Sequence, residues 1–240
     1  MNTSRSCLEP LTIPLAAGTV LSGLLDLPAG AQACYVFAHG AGAGMNHLFM
    51  AAVAAGLAER GIAALRFQFP YMEQGARRPD PPKVAQAAVR AAVEAAALRL
   101  PRLPLFAGGK SYGGRMTSQA QAGQPLAHVR GLVFVGFPLH PANKPATERA
   151  GHLAGVHIPM LFLQGTRDAL ADLDLMRQTT AGLGGRATLH VVEGADHSFQ
   201  VLARSGRNNE QVREELLDTM AGWMTGAQFA GPARLTSAPG

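Results

Sequence analysis

A serine between two glycines is the residue in this chain best suited to do chemistry. Ser111 lies at the centre of Gly109-Lys-Ser-Tyr-Gly113, directly after an apolar run that begins at Leu105. The G-x-S-x-G pattern is typical of a sharp strand-to-helix turn that lifts a serine hydroxyl out of a sheet. Glycines at these two positions permit a strained backbone and the close approach of neighbouring chain. Because the turn opens a helix whose N–H groups can hold a developing negative charge, the pattern predicts a serine nucleophile.

An acid and a histidine follow Ser111 in the order that such a nucleophile requires. Asp168 comes just after a predicted strand that begins at Met160, and His197 lies in the loop after the last predicted strand. A histidine with a pKa of about 6.5 takes the serine proton and returns it to the leaving group, while a buried acid fixes its tautomer. Singly, a turn serine, a helix-capping aspartate and a loop histidine are commonplace. Their order, each at a predicted strand end, predicts the catalytic triad Ser111, Asp168 and His197.

Two N–H groups are expected to form an oxyanion hole. One belongs to Tyr112, which follows the nucleophile, and the other to Ala41 or, as second choice, to Gly42. Ala41 and Gly42 stand in a glycine-rich stretch at the end of an earlier predicted strand. His39, just before them, either contacts the substrate or packs and hydrogen-bonds beneath this loop.

Further substrate contacts are expected from a loop at the same edge of the sheet. Tyr71 opens a segment that follows a strand end and closes at Asp80. Arg77 and Arg78 can clamp a carboxylate or phosphate bidentately. The alternative is a solvated loop in which Arg78 pairs with Asp80. His140, which follows another predicted strand, is a further candidate for the pocket.

Nucleotide and metal motifs fail on spacing. A phosphate-binding loop around the serine needs a glycine where Pro104 stands. The run Gly40–Gly44 lacks the third glycine of a dinucleotide fingerprint, because Met45 occupies its position. His152 and His157 have no carboxylate or cysteine at metal-binding spacing. We therefore expect neither a cofactor nor a metal.

Composition favours one globular α/β domain in a reducing compartment. The chain has 240 residues, of which 48% are hydrophobic and 15% charged, as in a globular enzyme. Its net charge of +5 comes mainly from 18 arginines against 3 lysines. They are scattered along the chain, which favours a solvated basic surface over nucleic-acid binding. Two cysteines make no disulfide framework, and no segment is typical of a signal peptide or membrane span, so we expect a cytoplasmic protein.

Strand and helix patterns alternate along most of the chain. An antiparallel pair is predicted over about residues 10–28. Predicted strands follow at 34–40, 62–69, 103–110, 132–137, 160–164 and 187–192, and predicted helices at 47–60, 84–100, 113 onward, 171–182 and 209–224. This alternation predicts an α/β fold with a doubly wound, mainly parallel sheet of about seven or eight strands and helices on both faces. Active sites in such sheets collect at the carboxyl ends of the strands.

The predicted elements fit into a single domain over residues 1–240. Its core is expected over about residues 10–225, followed by a mobile tail at 226–240. Only about twenty residues separate the predicted strands that end near residue 137 and start near residue 160. They are too few for a large cap domain, so we expect an open site.

Five motifs together resemble one branch of the α/β-hydrolase superfamily. They are His39-Gly-Ala-Gly-Ala-Gly-Met45, Arg66-Phe-Gln-Phe-Pro-Tyr71, Gly109-Lys-Ser-Tyr-Gly-Gly-Arg-Met116, Phe137-Pro-Leu-His140 and Leu161-Phe-Leu-Gln-Gly-Thr-Arg-Asp168. The branch is the small, capless group related to dienelactone hydrolases and similar to the testis-expressed protein 30 family. The resemblance spans about residues 15–225 and implies the fold and the triad, but no substrate. Tyr112 departs from the methionine expected in the relatives, and its phenol narrows the predicted pocket.

These observations predict a serine hydrolase that cleaves an ester or thioester of a small molecule through an acyl-enzyme on Ser111. No partner other than the substrate is expected, and the oligomeric state stays open. The resemblance also reaches an animal branch with a subunit of a chromatin acetyltransferase complex. A catalytically silent interaction module is therefore one alternative, and a small peptidase or amidase is another. Retention of the serine, the aspartate and the histidine together argues against the silent module.

Overall fold

Eight strands form one continuous sheet in the computed structural model, which describes residues 7–15 and 18–229. The strands are Cys7–Pro14 (β1), Val20–Leu27 (β2), Ala33–Ala38 (β3), Ile62–Phe67 (β4), Leu105–Lys110 (β5), Val129–Val135 (β6), Met160–Gly165 (β7) and Ala187–Val192 (β8). Their order across the sheet is β1-β2-β4-β3-β5-β6-β7-β8. β2 pairs antiparallel with β1 and β4, whereas all other neighbours are parallel. The predicted α/β fold class is confirmed.

Six α-helices cover the two faces of the sheet. They are Leu48–Glu59 (α1), Pro70–Glu73 (α2), Pro82–Arg99 (α3), Tyr112–Gly123 (α4), Leu173–Gly182 (α5) and Asn209–Met224 (α6). The core on one face contains the apolar residues of α3, α4 and α5, and the core on the other face those of α1 and α6. β3 supplies alternate residues to each, with Val36 on the first face and Phe37 on the second. This period-2 alternation explains why a strand buried on both faces is a continuous apolar run.

Residues Glu148–Gly155, between β6 and β7, form a 3-10 helix that we call the connector segment. It packs along α4 and takes the place where the sequence predicts only a short excursion. β6 ends at Val135, two residues before the predicted end, because Gly136 turns the chain with a φ of 68°. A left-handed backbone of this kind cannot continue a strand.

The first residues of the predicted mobile tail pack on the core instead. Ala227–Phe229 form a 3-10 turn in which the Phe229 ring is buried against Phe106 and Trp223. The side chain of Arg130 donates a hydrogen bond to the Phe229 carbonyl at 2.8 Å. These three residues therefore pack on the core, because the Phe229 ring covers an apolar surface, and the mobility of the tail stays a prediction. Residues 230–240 lie outside the described part of the chain.

Candidate active site

Ser111 lies on a sharp turn between β5 and α4, as the glycine pattern predicts. Its backbone has φ 49° and ψ −114°, which is rare for a residue with a side chain. The chain on both sides passes very close to the end of β3: a side chain at Gly109 or Gly113 would collide with the carbonyl of Ala38. Glycine is thus required at both positions by the lack of space. The turn places Ser111 at the N-terminus of α4, where it projects from the carboxyl edge of the sheet.

His197 connects Ser111 to Asp168 through two short hydrogen bonds. Its Nε2 lies 2.8 Å from the Ser111 Oγ, and its Nδ1 lies 2.7 Å from the Asp168 Oδ2. The three residues come from the ends of β5, β7 and β8, which are distant in sequence and share one edge of the sheet. The structure therefore brings together the three residues of the predicted triad in the predicted order.

Asp168 is held by a set of donors that fixes its carboxylate. The Gln164 amide donates to Oδ2 at 2.5 Å, and the backbone N–H of Leu170 donates to Oδ1 at 2.8 Å. Gln164 is itself anchored, because its Oε1 accepts from the Phe137 N–H at 3.1 Å. The Asp168 side chain is fully buried, whereas the His197 side chain is 23% exposed. The acid is thus shielded from water while the imidazole remains open to a substrate.

Lys110, next to the nucleophile, braces the loop that carries His197. Its Nζ donates to the His197 carbonyl at 2.6 Å and lies 5.7 Å from the centre of the Phe199 ring. Burial lowers the pKa of Lys110 to about 8, and the charges of Asp168 and Asp196 oppose that change. The sequence gives no signal for this contact, because Lys110 and His197 are 87 positions apart.

Two N–H groups near Ser111 are candidates for an oxyanion hole. Tyr112 is the first residue of α4, so its N–H has no partner within the helix. The Ala41 N–H has no acceptor in the part of the chain that the structure describes. The Gly42 N–H donates instead to the Tyr71 hydroxyl at 3.0 Å. This geometry favours Ala41 over Gly42 as the second donor and gives Tyr71 the role of holding the loop.

His39 and His140 use both ring nitrogens inside the protein. His39 is buried between the Gly40 carbonyl at 2.8 Å and the Phe69 N–H at 3.1 Å. His140 bonds to the Pro141 carbonyl at 2.8 Å and accepts from the Asp172 N–H at 2.7 Å. Both rings are nearly inaccessible, with 0% and 3% exposure. The structure thus favours the packing role for His39. His140 holds the start of α5 through the Asp172 N–H, and neither histidine has a ring nitrogen free for a substrate.

The two arginines of the predicted clamp lie on an exposed loop. Arg77 and Arg78 form no salt bridge within residues 7–15 and 18–229, and Arg78 does not pair with Asp80. The Asp80 carboxylate accepts from the Tyr71 N–H at 2.9 Å, and the Asp80 carbonyl accepts from the Tyr112 hydroxyl at 3.1 Å. The loop is therefore fixed at one end beside the nucleophile, with both guanidinium groups in solvent.

A second serine–histidine pair is present but lacks the features of a nucleophile. Ser118 Oγ lies 2.7 Å from the Nε2 of His152 and also donates to the Arg115 carbonyl at 3.0 Å. Ser118 is completely buried within α4, and no carboxylate of the described chain contacts His152. Burial, and secondarily the charge of Arg115, lower the pKa of His152 to about 4. This pair joins α4 to the connector segment.

Comparison with known proteins agrees with this architecture. Residues 31–225 match the sequence profile of a family described as an alpha/beta hydrolase domain. The chain belongs to this family. The match covers the sheet from β3 onward and both flanking helix layers, so it includes every residue of the serine, histidine and aspartate cluster.

Solved structures of low sequence identity share the α/β-hydrolase fold. A serine hydrolase homologue from Coxiella burnetii is 20% identical with a TM-score of 0.71, covering 88% of this chain and 97% of its own. A Xanthomonas campestris serine hydrolase described as having no lid is 22% identical with a TM-score of 0.71, covering 97% and 99%. A dienelactone hydrolase from Anabaena variabilis is 20% identical with a TM-score of 0.70, covering 89% and 96%. At these identities the likeness establishes the fold and not the substrate.

The described part of this α/β hydrolase has neither a cluster of metal ligands nor a membrane-spanning helix. Within it, no three His, Cys, Asp or Glu side chains are grouped as they are around a metal ion. None of its helices combines the length and the hydropathy of a membrane span. The two cysteines, exposed Cys7 and buried Cys34, are both unpaired.

Proposed function

We propose that this α/β hydrolase is a serine hydrolase that cleaves an ester or thioester of a small molecule through an acyl-enzyme on Ser111. The observation that carries the proposal is the continuous hydrogen-bonded series from the Ser111 Oγ through His197 to buried Asp168. The strained backbone of Ser111 costs free energy, and such strain is found mainly at functional sites. In this geometry Ser111 is the nucleophile, His197 is its general base, and Asp168 orients the imidazole.

In the first half of the reaction, the Ser111 Oγ attacks the carbonyl carbon while its proton passes to Nε2 of His197. The Asp168 carboxylate keeps the Nδ1 proton in place and stabilises the imidazolium. Negative charge develops on the carbonyl oxygen, to which the N–H groups of Tyr112 and Ala41 are proposed to donate hydrogen bonds. The imidazolium then gives its proton to the leaving alcohol or thiol, and the acyl group remains on Ser111.

In the second half, water replaces the leaving group. His197 takes a proton from the water as it attacks the acyl carbon, and the same proton returns to Ser111 when the acid product departs. No cofactor enters either half. Arg77 and Arg78, exposed on the loop that follows Tyr71, are proposed to contact the substrate beyond the ester bond, whereas buried Tyr71 is proposed to hold the oxyanion loop.

A silent interaction module and a small peptidase or amidase are the two competing proposals. A silent module gives no reason for a buried acid held by two further donors, so turnover is favoured. The narrower likeness to the testis-expressed protein 30 family, the choice between ester and thioester, and a cytoplasmic location stay predictions. Esterases and a dienelactone hydrolase among the structural neighbours suggest an ester.

Labelling with a fluorophosphonate tests the proposal directly. Wild-type protein is expected to gain one adduct, which peptide mass spectrometry assigns to Ser111. Ser111→Ala should abolish it, whereas Ser118→Ala, which removes the other histidine-bonded serine, should retain it. A folded protein that stays unlabelled, or that is labelled elsewhere, contradicts the proposal. Turnover of esters, thioesters and anilides with one common acyl group then separates the hydrolase classes.

A further inference from the structure

The guanidinium of Arg115 is a partly buried cation without a counter-charge. Arg115 lies one helical turn after Ser111, and its N–H donates to the Ser111 carbonyl at 3.1 Å. Its Nε is shielded from solvent, yet it has no hydrogen-bond partner among the residues that the structure describes. Buried polar atoms and charges are normally paired. Internal packing of the chain therefore does not explain why an arginine stands here.

The connector segment runs alongside α4 in the same direction. Near the far end of α4, Gly155 packs against Ala122. One turn closer to the nucleophile, His152 hydrogen-bonds to Ser118 at 2.7 Å. Three residues of a 3-10 helix and four residues of an α-helix both rise by roughly 6 Å, so the two elements stay in step. Both consequently begin at the edge of the sheet that carries Ser111.

This alignment brings a second arginine beside the first. On the connector segment Arg149 lies three residues before His152, and on α4 Arg115 lies three residues before Ser118, so both precede the contacting pair by about one turn. Burial and then the positive charge of Arg149 lower the pKa of Arg115, as expected for neighbouring cations. Neither arginine forms a salt bridge within residues 7–15 and 18–229.

Among the described residues no carboxylate pairs with either arginine, and Glu148, next to Arg149 in sequence, is exposed. Burial raises the pKa of Tyr112 to about 12, so its phenol is neutral. Burial and the charge of Arg115 lower the pKa of His152 to about 4, so this ring is neutral as well. The Asp80 carboxylate accepts from the Tyr71 N–H. Two cations thus lie near one another, one helical turn from the nucleophile, with a neutral phenol and a neutral imidazole close to Arg115.

We propose that Arg115 and Arg149 bind an anionic group of the substrate, a carboxylate or a phosphate, beside the ester bond that Ser111 attacks. Arginine stays protonated and presents a planar fork that matches both anions. The Cα atoms of Ser111 and Arg115 are roughly 6 Å apart along the helix axis, so one small molecule can reach both. The inference rests on the proposed hydrolase function and narrows the substrate class to anionic esters or thioesters.

Anion binding is measured first, because it does not depend on turnover. Succinate and inorganic phosphate are titrated by calorimetry into Ser111→Ala protein at constant ionic strength. We expect one site for at least one of the two anions, and the stronger binder identifies the anionic group. Adding Arg115→Gln or Arg149→Gln should weaken binding about tenfold or more, as for loss of a charge-assisted contact.

One control variant and one competing variant decide which arginines matter. The control, Arg102→Gln, removes one positive charge from an exposed turn at the opposite edge of the sheet. The competing variant, Arg78→Gln, removes one from the exposed loop near Tyr112, which is also proposed to contact the substrate. Unchanged anion binding in Arg102→Gln, together with a smaller loss in Arg78→Gln than in Arg115→Gln, supports the paired site. Weakening in Arg102→Gln equal to that in Arg115→Gln indicates a net-charge effect and overturns the proposal. If only Arg78→Gln weakens anion binding, the anion binds at the exposed loop, and the proposal is overturned as well.

Turnover supplies the second measurement. Hydrolysis of the mono-4-nitrophenyl ester of succinic acid is compared with that of 4-nitrophenyl butyrate, a neutral ester of equal carbon number. In the wild type the charged ester should have the higher kcat/KM, and Arg115→Gln should lower the ratio of the two values about tenfold. Equal losses on both esters overturn the proposal. Absence of the Ser111 fluorophosphonate adduct contradicts the hydrolase function instead, whereas the calorimetric result still reports on the anion site.

Discussion

At the scale of single residues, the two aspartates near His197 differ in their hydrogen-bond partners. Asp168 accepts from the His197 ring, from the Gln164 amide and from the Leu170 N–H. Asp196 is adjacent to His197 in sequence, but its Oδ1 accepts from the N–H groups of two loop residues, at 2.8 and 3.0 Å. Asp196 thus shapes the turn that carries His197, and within the described residues it forms no hydrogen bond to the His197 ring.

This division predicts different consequences for the two Asp-to-Asn changes. Asp168→Asn should lower kcat by about 10³- to 10⁴-fold, because an amide facing Nδ1 stabilises the wrong tautomer. Asp196→Asn keeps the acceptor oxygen of its turn and should change kcat by less than about tenfold. Steady-state kinetics on an ester substrate measure both, with circular dichroism to verify folding. A larger loss in Asp196→Asn shows that the acid is misassigned.

Lys110 is predicted to act through His197 without touching the substrate. Lys110→Met preserves the length of the side chain but removes the bond to the His197 carbonyl, so kcat should fall about tenfold while KM changes little. Since burial lowers the pKa of Lys110 to about 8, the wild type should lose part of its kcat/KM above that pH, where the bond becomes an uncharged one.

The pH profile separates this positioning role from general damage. Lys110→Met should lack the decline above pH of about 8, whereas Lys83→Met, a change at an exposed lysine on α3, should keep both the wild-type rate and the decline. Identical profiles for the wild type and Lys110→Met contradict the role.

At the scale of elements, the nucleophile turn depends on how closely α4 approaches β3. Gly113 faces the backbone of Ala38 and the His39 carbonyl, so Gly113→Ala forces the two elements apart. It should lower the free energy of unfolding by about 3 kcal/mol or more. Gly123, at the other end of α4, has open space where a Cβ would be. Gly123→Ala should be neutral or stabilising by up to about 1 kcal/mol, since alanine favours the helix.

Urea unfolding of the two glycine variants measures this difference. The same chemical change in the same helix should thus have opposite consequences. Equal stabilities would mean that close packing does not fix the turn.

The elements themselves were largely predictable from the sequence. β8 and α6 have the predicted bounds. Strand-forming residues mark β8, and an apolar stripe with a polar cap marks α6, where Asn208 caps the helix reciprocally with Gln211. The four-residue helix α2 was missed, since it starts at Pro70, which usually ends a strand. The connector segment was missed because eight residues with small and charged side chains show no lasting period.

The site was predictable where a pattern is local and not where contacts are long-range. Ser111, Asp168 and His197 were identified because each follows a predicted strand, and parallel strands end at one edge. Gln164 and Lys110 contact residues 27 and 87 positions away, and their sequence context resembles that of any strand residue. The pairing of Arg115 with Arg149 depends on the alignment of two helices, which the sequence does not specify.

At the scale of the whole molecule, the fold keeps two histidines neutral. His39 is completely buried beneath the oxyanion loop, and desolvation lowers its pKa to about 4. His152, between α4 and the connector segment, has its pKa lowered to about 4 by burial and by Arg115. An unfolded chain exposes both rings and returns them to a pKa of about 6.5. The unfolded state therefore binds more protons than the folded state between these two values.

This difference predicts a loss of stability in weak acid. As the pH falls from about 6.5 to 4, protons bind the unfolded chain first, so the free energy of unfolding should decrease; below pH of about 4 the folded rings protonate too and this contribution levels off. His39 alone accounts for up to about 3 kcal/mol. Urea unfolding at several pH values measures the decrease, to which carboxylates also contribute.

Variants isolate the histidine share of the decrease. His39→Gln and His152→Gln are expected to be less stable than the wild type near pH 7, where they lose hydrogen bonds, but each should have a flatter dependence on pH because one titrating group is gone. His157→Gln, at an exposed histidine before β7, should give a curve parallel to the wild type. If the His39→Gln and His152→Gln curves are also parallel to the wild type, the loss of stability in acid arises from carboxylates and not from the two buried histidines.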